Sequence, residues 1–444
     1  MGSNFVEREI GHVVSIDVNK YHLDMMHAKI SQTPRLLSKA AGKTTCCIFK
    51  APNSFIEING KSYQPQIVSI GPYHRGEPHL QMIEEHKWRY LGSLLTRTQT
   101  IGITLEDYLK SMHPVEIEAR ESYSETIHLS HDEFLEMMVV DGCFILELFR
   151  KFDSNRFEPD DPLFTMAWIF PFFYRDFLRL ENQIPFFILE RLFEVTKLPE
   201  EVSGPSLSLL ALRFFNNIMQ RRDDIIESQF DLKGLHLLDL VRLSFIPPEN
   251  ELPQSGKTPT HIIHCISKLR RSGIKLNPSN ADSILVVKFH HGVIEMPTIT
   301  IDDFSTSFLV NCVAFEQCHN SRSKHLTTYA TLLDCLVNTS KDVEYLCDRN
   351  IFDNHFGTEA EVARFINNLG KDVAFDFDTC CLSKLFNDVH DYYRNSWHVQ
   401  WAGFKYTYFD SPWSFISALA ALVLLLLTVA QTFYTIYGYV KPNE

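Results

Sequence analysis

The chain has 444 residues, 45% of them hydrophobic and 22% charged, with a formal net charge of −13. That length and apolar content suffice for one large buried core or two smaller ones and exclude a disordered protein. The acidic balance excludes general nucleic-acid binding, which needs clustered lysine and arginine against phosphate; "RRDD" at 221–224 and "KLRR" at 268–271 read as solvated helix faces.

Residues 1–40 form a variable polar lead-in with one amphipathic stretch, "NKYHLDMMHAKI". The opening "MGSNFVEREIGHVV" has neither the basic region nor the apolar region of a secretory signal. Gly2 invites a myristoylation reading, but Val6 stands where that motif wants Ser or Thr. Ten cysteines are scattered without a CxxC pair, which predicts reduced thiols, no zinc ribbon and a cytosolic environment.

Residues 41–400 read as a helical body with a few short strands, with 247–259 as a candidate division into two subdomains. "CCIFKAP" and "QIVSIGP", each closed by proline, read as strands or extended segments. Between them and the next helix lies "GPYHRG", a Gly-bounded turn carrying His74 and Arg75. Such a pair can bind an anion or a carboxylate, but no phosphate-loop spacing accompanies it, so a turn-stabilising role is expected. Pro78 then suits a first helical position, and Leu80, Ile83, Leu91, Leu94 and Leu95 trace an apolar stripe; Glu84, Glu85, Lys87 and Arg89 are expected largely off it.

Ser130 and Glu133 form a capping box ahead of "FLEMMVVDGCFILELFRKF". Phe134, Met137, Met138, Ile145 and Leu148 make its core face, and Asp141 shares that face. A buried acid must be paired or hydrogen-bonded; it can serve as a proton donor, or simply hold two helices in register, which is the expectation here. "FYRDFLRLENQIPFFILERLFEV" predicts one helix breaking at Pro185 and another starting there, with Glu181, Asn182 and Gln183 satisfying backbone groups at the break.

Residues 199–207 and 247–259 read as surface loops, and "ADSILVVKFHHGVIEMPTITIDDF" as a hairpin turning at His291 and Gly292. "TSFLVNCVAFEQC" returns to helix and carries Glu316 and Gln317, followed by helical "YATLLDCLVNTSKDVEYLC" and "GTEAEVARFINNLGKDV". "HIIH" at 261–264 puts two imidazoles on one helical face, without the further ligands zinc needs. His290 and His291 are adjacent on a strand and point apart. There is no GxSxG elbow, Walker loop, GxGxxG fingerprint or kinase signature, so no catalytic, cofactor-binding or metal residue is assigned. An acid/base pair of Glu181 and Glu316 would need the fold to bring them together.

The chain closes with "FDSPWSFISALAALVLLLLTVAQTFYTIYGYVK", uncharged between Asp410 and Lys441. From Trp413 to Tyr437 a helix would run about 37 Å, enough to cross a hydrocarbon core of about 30 Å. Residues 401–412 make an aromatic juxtamembrane segment, 413–437 the spanning helix and 438–444 a short tail. Trp397, Trp401, Tyr406, Tyr408 and Trp413 crowd one end and Tyr434, Tyr437 and Tyr439 the other, as in an interfacial belt. The expectation is a single-pass tail anchor in lipid, with the body in the cytosol. "NTS" at 338–340 would be glycosylated only if the body were luminal or extracellular.

The blocks "QIVSIGPYHRGEPHLQMIEEHKWRYL", "MMVVDGCFILELFR", "RLENQIPFFILERLF", "IEMPTITIDD", "NCVAFEQC" and "YFDSPWSFISALAALVLLLLTVAQTFY" follow one another in this order. From about Cys46 to Tyr439 the chain thereby resembles the plant domain-of-unknown-function 247 family, also called uncharacterised protein family 0481. The resemblance implies a plant-specific, mostly helical protein with one terminal transmembrane helix and no established enzymatic activity. Some members look like recognition determinants in grass self-incompatibility, acting in pollen, a role that belongs to those members.

The expected function is that of a membrane-anchored interaction or recognition component, placed at the plasma membrane, with the bilayer and a protein as partners and no cofactor. One alternative is a membrane-tethered, hydrolase-like enzyme using Asp141, Glu181, Glu316, His74 and Arg75 in a shared pocket. Another is a purely structural tether. The motif residues His74, Arg75, Asp141, Glu181, Asn182, Gln183, Glu316 and Gln317 are expected to be structural, with Trp413 and Tyr437 bounding the anchor.

Overall fold

A computed structural model describes residues 19–32, 34, 36–158, 160–248, 258, 262–319, 323–375, 380–394 and 412–440. The molecule is mainly helical with a few short strands, and it ends in one helix long and apolar enough to cross a membrane.

The organising element is the His131–Ser154 helix. Ser130 and Glu133 cap it reciprocally, and Asn155 in the left-handed region ends it. From Phe134 to Lys151 every residue except Glu136 is buried, so the helix is walled on nearly all sides. Its neighbours are the helices Gln81–Gln99, Leu105–Met112, Phe186–Val195 and Leu207–Met219. Gly142 lets one of these neighbours approach closely, since a Cβ there would come 2.4 Å from Leu192 Cδ1 and that side chain would have to shift. Phe144, Phe149, Phe173, Phe177 and Phe214 pack ring against ring around it. Edge and tilted stacking adds specificity to the area they bury.

A second buried helix, Asp303–Cys318, packs against Ile169–Asp176, Leu237–Ser244, His325–Leu336 and Glu359–Leu369. Buried side chains from Cys46 to Val389 join in one apolar cluster spanning both helices. Most of the stretch 247–259 lies outside the described residues.

Among the described residues five strands flank these helices. β1 (Lys275–Ser279) runs parallel to β3 (Val293–Pro297), which pairs antiparallel with β2 (Lys288–His290). His291 and Gly292 make the two-residue turn with φ of 49° and 81°, the left-handed pair a tight hairpin needs. β4 (Ile299–Ile301) runs parallel to β5 (Phe352–Asn354).

Three expectations change. "CCIFKAP" contributes an isolated bridge, Ile48 to Tyr123, and "QIVSIGP" forms no strand but irregular backbone that bends at Gln66 and Ile67 and that side chains hold. The helix expected to run to Pro185 stops at Asp176; the next does begin at Phe186, directly after Pro185. Lys87, expected off the apolar stripe, is buried on it, four residues from Ile83 and four from Leu91.

The Pro412–Val440 helix carries no acidic residue in its first turn and no basic residue in its last. Its Ile416–Tyr437 stretch has a mean hydropathy of 2.2 and none of it is buried against the body. Trp413 and Tyr437 are exposed near its two ends. The aromatic residues at 397–408 and the His261 end of "HIIH" lie outside the described residues.

Candidate functional site

Two of the motif residues, Asp141 and Asn182, bond to one stretch of backbone, 66–71, and Gln183 abuts its end. Irregular backbone inside a protein must find partners for its N–H and C=O groups, and here no neighbouring strand supplies them. Asp176 does part of the work, accepting from the N–H groups of Gln66 (2.9 Å), Ile67 (2.8 Å) and Val68 (3.2 Å). Asn182 accepts from Ile70 N at 2.7 Å and donates to Val68 O at 3.0 Å. Asp141 accepts from Gly71 N at 2.8 Å. Lys87 donates to Ser69 O, to Asp141 at 2.7 Å and to Glu84 at 2.6 Å. Burial pushes the Glu84 carboxyl above its ordinary range, with Lys87 opposing the shift.

Gly71 sits at the end of this segment with φ of 78°, and a Cβ there would lie 2.4 Å from Gln183 O. Arg179 completes the Asp176 contacts at 2.9 Å and also donates to Lys61 O at 2.8 Å. Gln183 donates to the carbonyls of Phe177 and Arg179, and its oxygen accepts from Leu238 N. The non-helical stretch after Asp176 is thus held by its own side chains.

Glu181 accepts from Ala51 N at 2.8 Å and meets His74 Nε2 at 3.1 Å, while His74 Nδ1 lies 2.7 Å from Glu77. Arg75 reaches outward to Glu136 at 3.3 Å. Glu316 belongs to a separate cluster: Arg242 donates to it at 2.9 Å and to Asp239 at 2.8 Å, and the N–H groups of Leu326 and Thr327 point at its oxygens. Burial raises the Glu316 carboxyl, and Arg242 acts against that. Gln317 exchanges hydrogen bonds with the backbone of Ala374 at the surface. Glu181 and Glu316 therefore share no partner.

His236 stands beside this Asp239–Arg242–Glu316 cluster, its ring against Phe315. Its Nδ1 accepts from Asp239 N at 3.2 Å, so the ring proton sits on Nε2, 3.1 Å from Cys47 O. Burial pushes its pKa down to about 4.

Sequence reasoning identified Asp141, Glu181, Asn182, Gln183 and Glu316 but not Lys87, Asp176, Asp239 or Arg242. The signal for the last two was available as an acid and a base three apart within apolar "LLDLVRLS".

The ten cysteines are free thiols. Burial drives the pKa of Cys143 and Cys312 well up, which leaves them unreactive.

A different kind of site opens on the surface nearby. The His131–Ser154 helix turns Asp132, Leu135, Glu136, Val139 and Val140 to one face, at the spacing of a helical stripe. Trp88 and Leu91 of the Gln81–Gln99 helix form one wall, and Leu105 and Leu109 of the Leu105–Met112 helix the other. Together they enclose a groove of about 660 Å³. Trp88 is 51% exposed, Leu105 38% and Leu109 36%. At one end His113 and His131 stack edge to face at 4.9 Å, and His131 Nδ1 meets Glu116. None of the eight motif residues lines this groove, and Arg75 is joined to it through its ion pair with Glu136.

Residues 48–427 match the family model described as a plant protein of unknown function, DUF247. A UPF0481 protein of Arabidopsis thaliana is 39% identical over 437 residues, covering 93% of this chain and 91% of its own length. A putative UPF0481 protein of the same plant is 23% identical over 498 residues, covering 89% of this chain and 91% of its own. No solved structure matches. A match across most of the chain, joined to a relative so alike over nearly its full length, makes this protein a member of the DUF247 family of plant proteins.

Proposed function

We propose that the protein is a single-pass membrane component, at the plasma membrane with its body in the cytosol, that acts by binding another protein through its helical body. One contrast carries this reading. The carboxylates and amides of the motif residues are engaged by backbone and by one another inside the body, whereas Trp88, Leu105 and Leu109 stand in solvent along an apolar groove. Large aromatic and aliphatic side chains lining a concave surface are what helix-in-groove recognition uses. The free thiols support a reducing compartment for the body. The hydrolase alternative requires Asp141, Glu181, Glu316, His74 and Arg75 to face one cleft; His74 and Glu181 are bonded together, but Asp141 is held by Lys87, Glu316 by Arg242, and Arg75 reaches outward to Glu136.

The test is a photo-reactive phenylalanine analogue in place of Trp88, illuminated in plant membranes. A specific polypeptide adduct that Leu109→Glu abolishes is the expected result. Adducts no different from those formed by the same analogue at Phe230, an exposed ring elsewhere on the body, would end the reading.

A further inference from the structure

We infer that the groove has a competing occupant in the chain's own Lys20–Ser31 helix, which lies outside it in this structure with every residue exposed and, once docked, must leave before a partner can enter; this rests on the groove being the binding surface proposed above. The helix is formed and capped, with Asn19 Oδ1 accepting from the N–H groups of Tyr21 and His22, yet not one of its residues is buried. Twelve residues are too few for a stable isolated helix in water, so this one needs a surface to lie against. Its apolar residues call for a particular kind of surface. At 100° per residue Tyr21 and Met25 fall on one side, and Met26, Ile30 and Leu23 on the opposite side. A bilayer interface favours one broad apolar face. Two opposed stripes instead suit a slot with two walls, such as that between Trp88 and Leu109.

The tether has the length and the starting point this docking requires. Leu37 N donates to the Glu125 carboxylate at 3.2 Å and Ser38 N donates to Ser124 O at 2.7 Å, which fixes the chain just after the helix to the loop leading into His131–Ser154. Six residues lead back from Leu37 to Ser31, and six lead forward from Glu125 to His131 at the groove's end. Each stretch spans at most about 20 Å, so Ser31 can reach His131 with the rest of the helix lying along the groove. In that arrangement Lys29 comes beside Asp132, a groove acid with no ion pair among the described residues.

The experiment places the photo-reactive phenylalanine analogue at Met26 of the full-length protein in lipid nanodiscs and maps the adducts by mass spectrometry. The expected product is an intramolecular link to residues 88–140. Asp132→Lys should lower its yield and Lys29→Glu on that background restore it, by about two- to five-fold, the worth of one exposed ion pair. Both positions are on the surface, so neither change threatens folding. Adducts to lipid, to a second copy or to other parts of the body, or no adduct, overturn the inference. The proposed partner binding is judged separately: if Trp88 still captures its partner while Met26 links elsewhere, only the competing helix is lost. If Trp88 captures nothing even after residues 1–31 are removed, the binding reading itself has failed.

Discussion

Lys87 and Asp141 meet at 2.7 Å between two packed helices, each nearly shielded from water, and both also hold the backbone of the 66–71 segment. Removing one member of such a pair leaves the other's charge buried and a backbone group unanswered. Lys87→Met is expected to destabilise the full-length protein by about 3 to 5 kcal/mol. Urea unfolding in detergent measures it, and a loss below about 1 kcal/mol would mean that water reaches the site.

Gly71→Ala tests the same segment from its far end. The position combines φ of 78° with a would-be Cβ contact of 2.4 Å to Gln183 O, which backbone must move to relieve. Gly76 has φ of 86° but open space around its Cβ direction. Gly76→Ala should cost about 1 kcal/mol and Gly71→Ala clearly more, about 3 kcal/mol or above, read as the difference between their unfolding curves.

Acid should weaken the fold through His236. Its folded pKa, about 4, lies below the ordinary histidine value, so between the two the unfolded chain binds a proton that the native ring refuses. Stability contributed by the neutral ring is complete above about pH 6.5 and is lost as pH falls toward 4, up to about 3 kcal/mol in all. His236→Asn keeps an acceptor for the Asp239 N–H but cannot reach Cys47 O. That variant should be less stable at pH 7 and show a flatter profile between pH 6.5 and 4. An unchanged slope would assign the acid sensitivity to other groups.

Anchoring can be separated from folding. Leu425 lies midway along the apolar Ile416–Tyr437 stretch, where an arginine costs about 2.5 to 3.5 kcal/mol on insertion scales. Leu425→Arg should therefore increase the fraction released by alkaline carbonate, while the native chain stays with the membrane. Release of the native chain would remove the anchor. Asn338 is exposed beside the Thr339 cap, so a glycan on it would place the body outside the cytosol.

The His131–Ser154 helix was legible because apolar spacing and the Ser130–Glu133 cap agreed, whereas the Leu105–Met112 helix with its Thr104–Asp107 cap was not read. Asp141 announced from its place on an apolar face that it needed a partner. The partner was misplaced because Lys87 was sorted by its charge, although its spacing from Ile83 and Leu91 puts it on the same stripe. The apolar run at 66–71 suggested a strand or extended segment; its irregular backbone was not readable, because its acceptors lie 70 to 112 residues further on. The early stop at Asp176 has the same origin, since that carboxylate is committed to distant amides. Nor could the groove be seen, because helical periodicity does not reveal whether three stripes close together or leave a gap.

The reach of those acceptors has a consequence for biosynthesis. When residues 66–71 leave the ribosome, the carboxylate of Asp176 and the amide of Asn182 have not been made, and more than a hundred codons must be translated before they exist. For that interval four amides and one carbonyl have only water to answer them, Lys87 and Asp141 being already made for Ser69 O and Gly71 N, and the stretch "QIVSIG" is the newborn polypeptide's open seam for chaperones and proteases. A transcript truncated between codons 141 and 176 would yield a product that carries the first clasp and never receives the others.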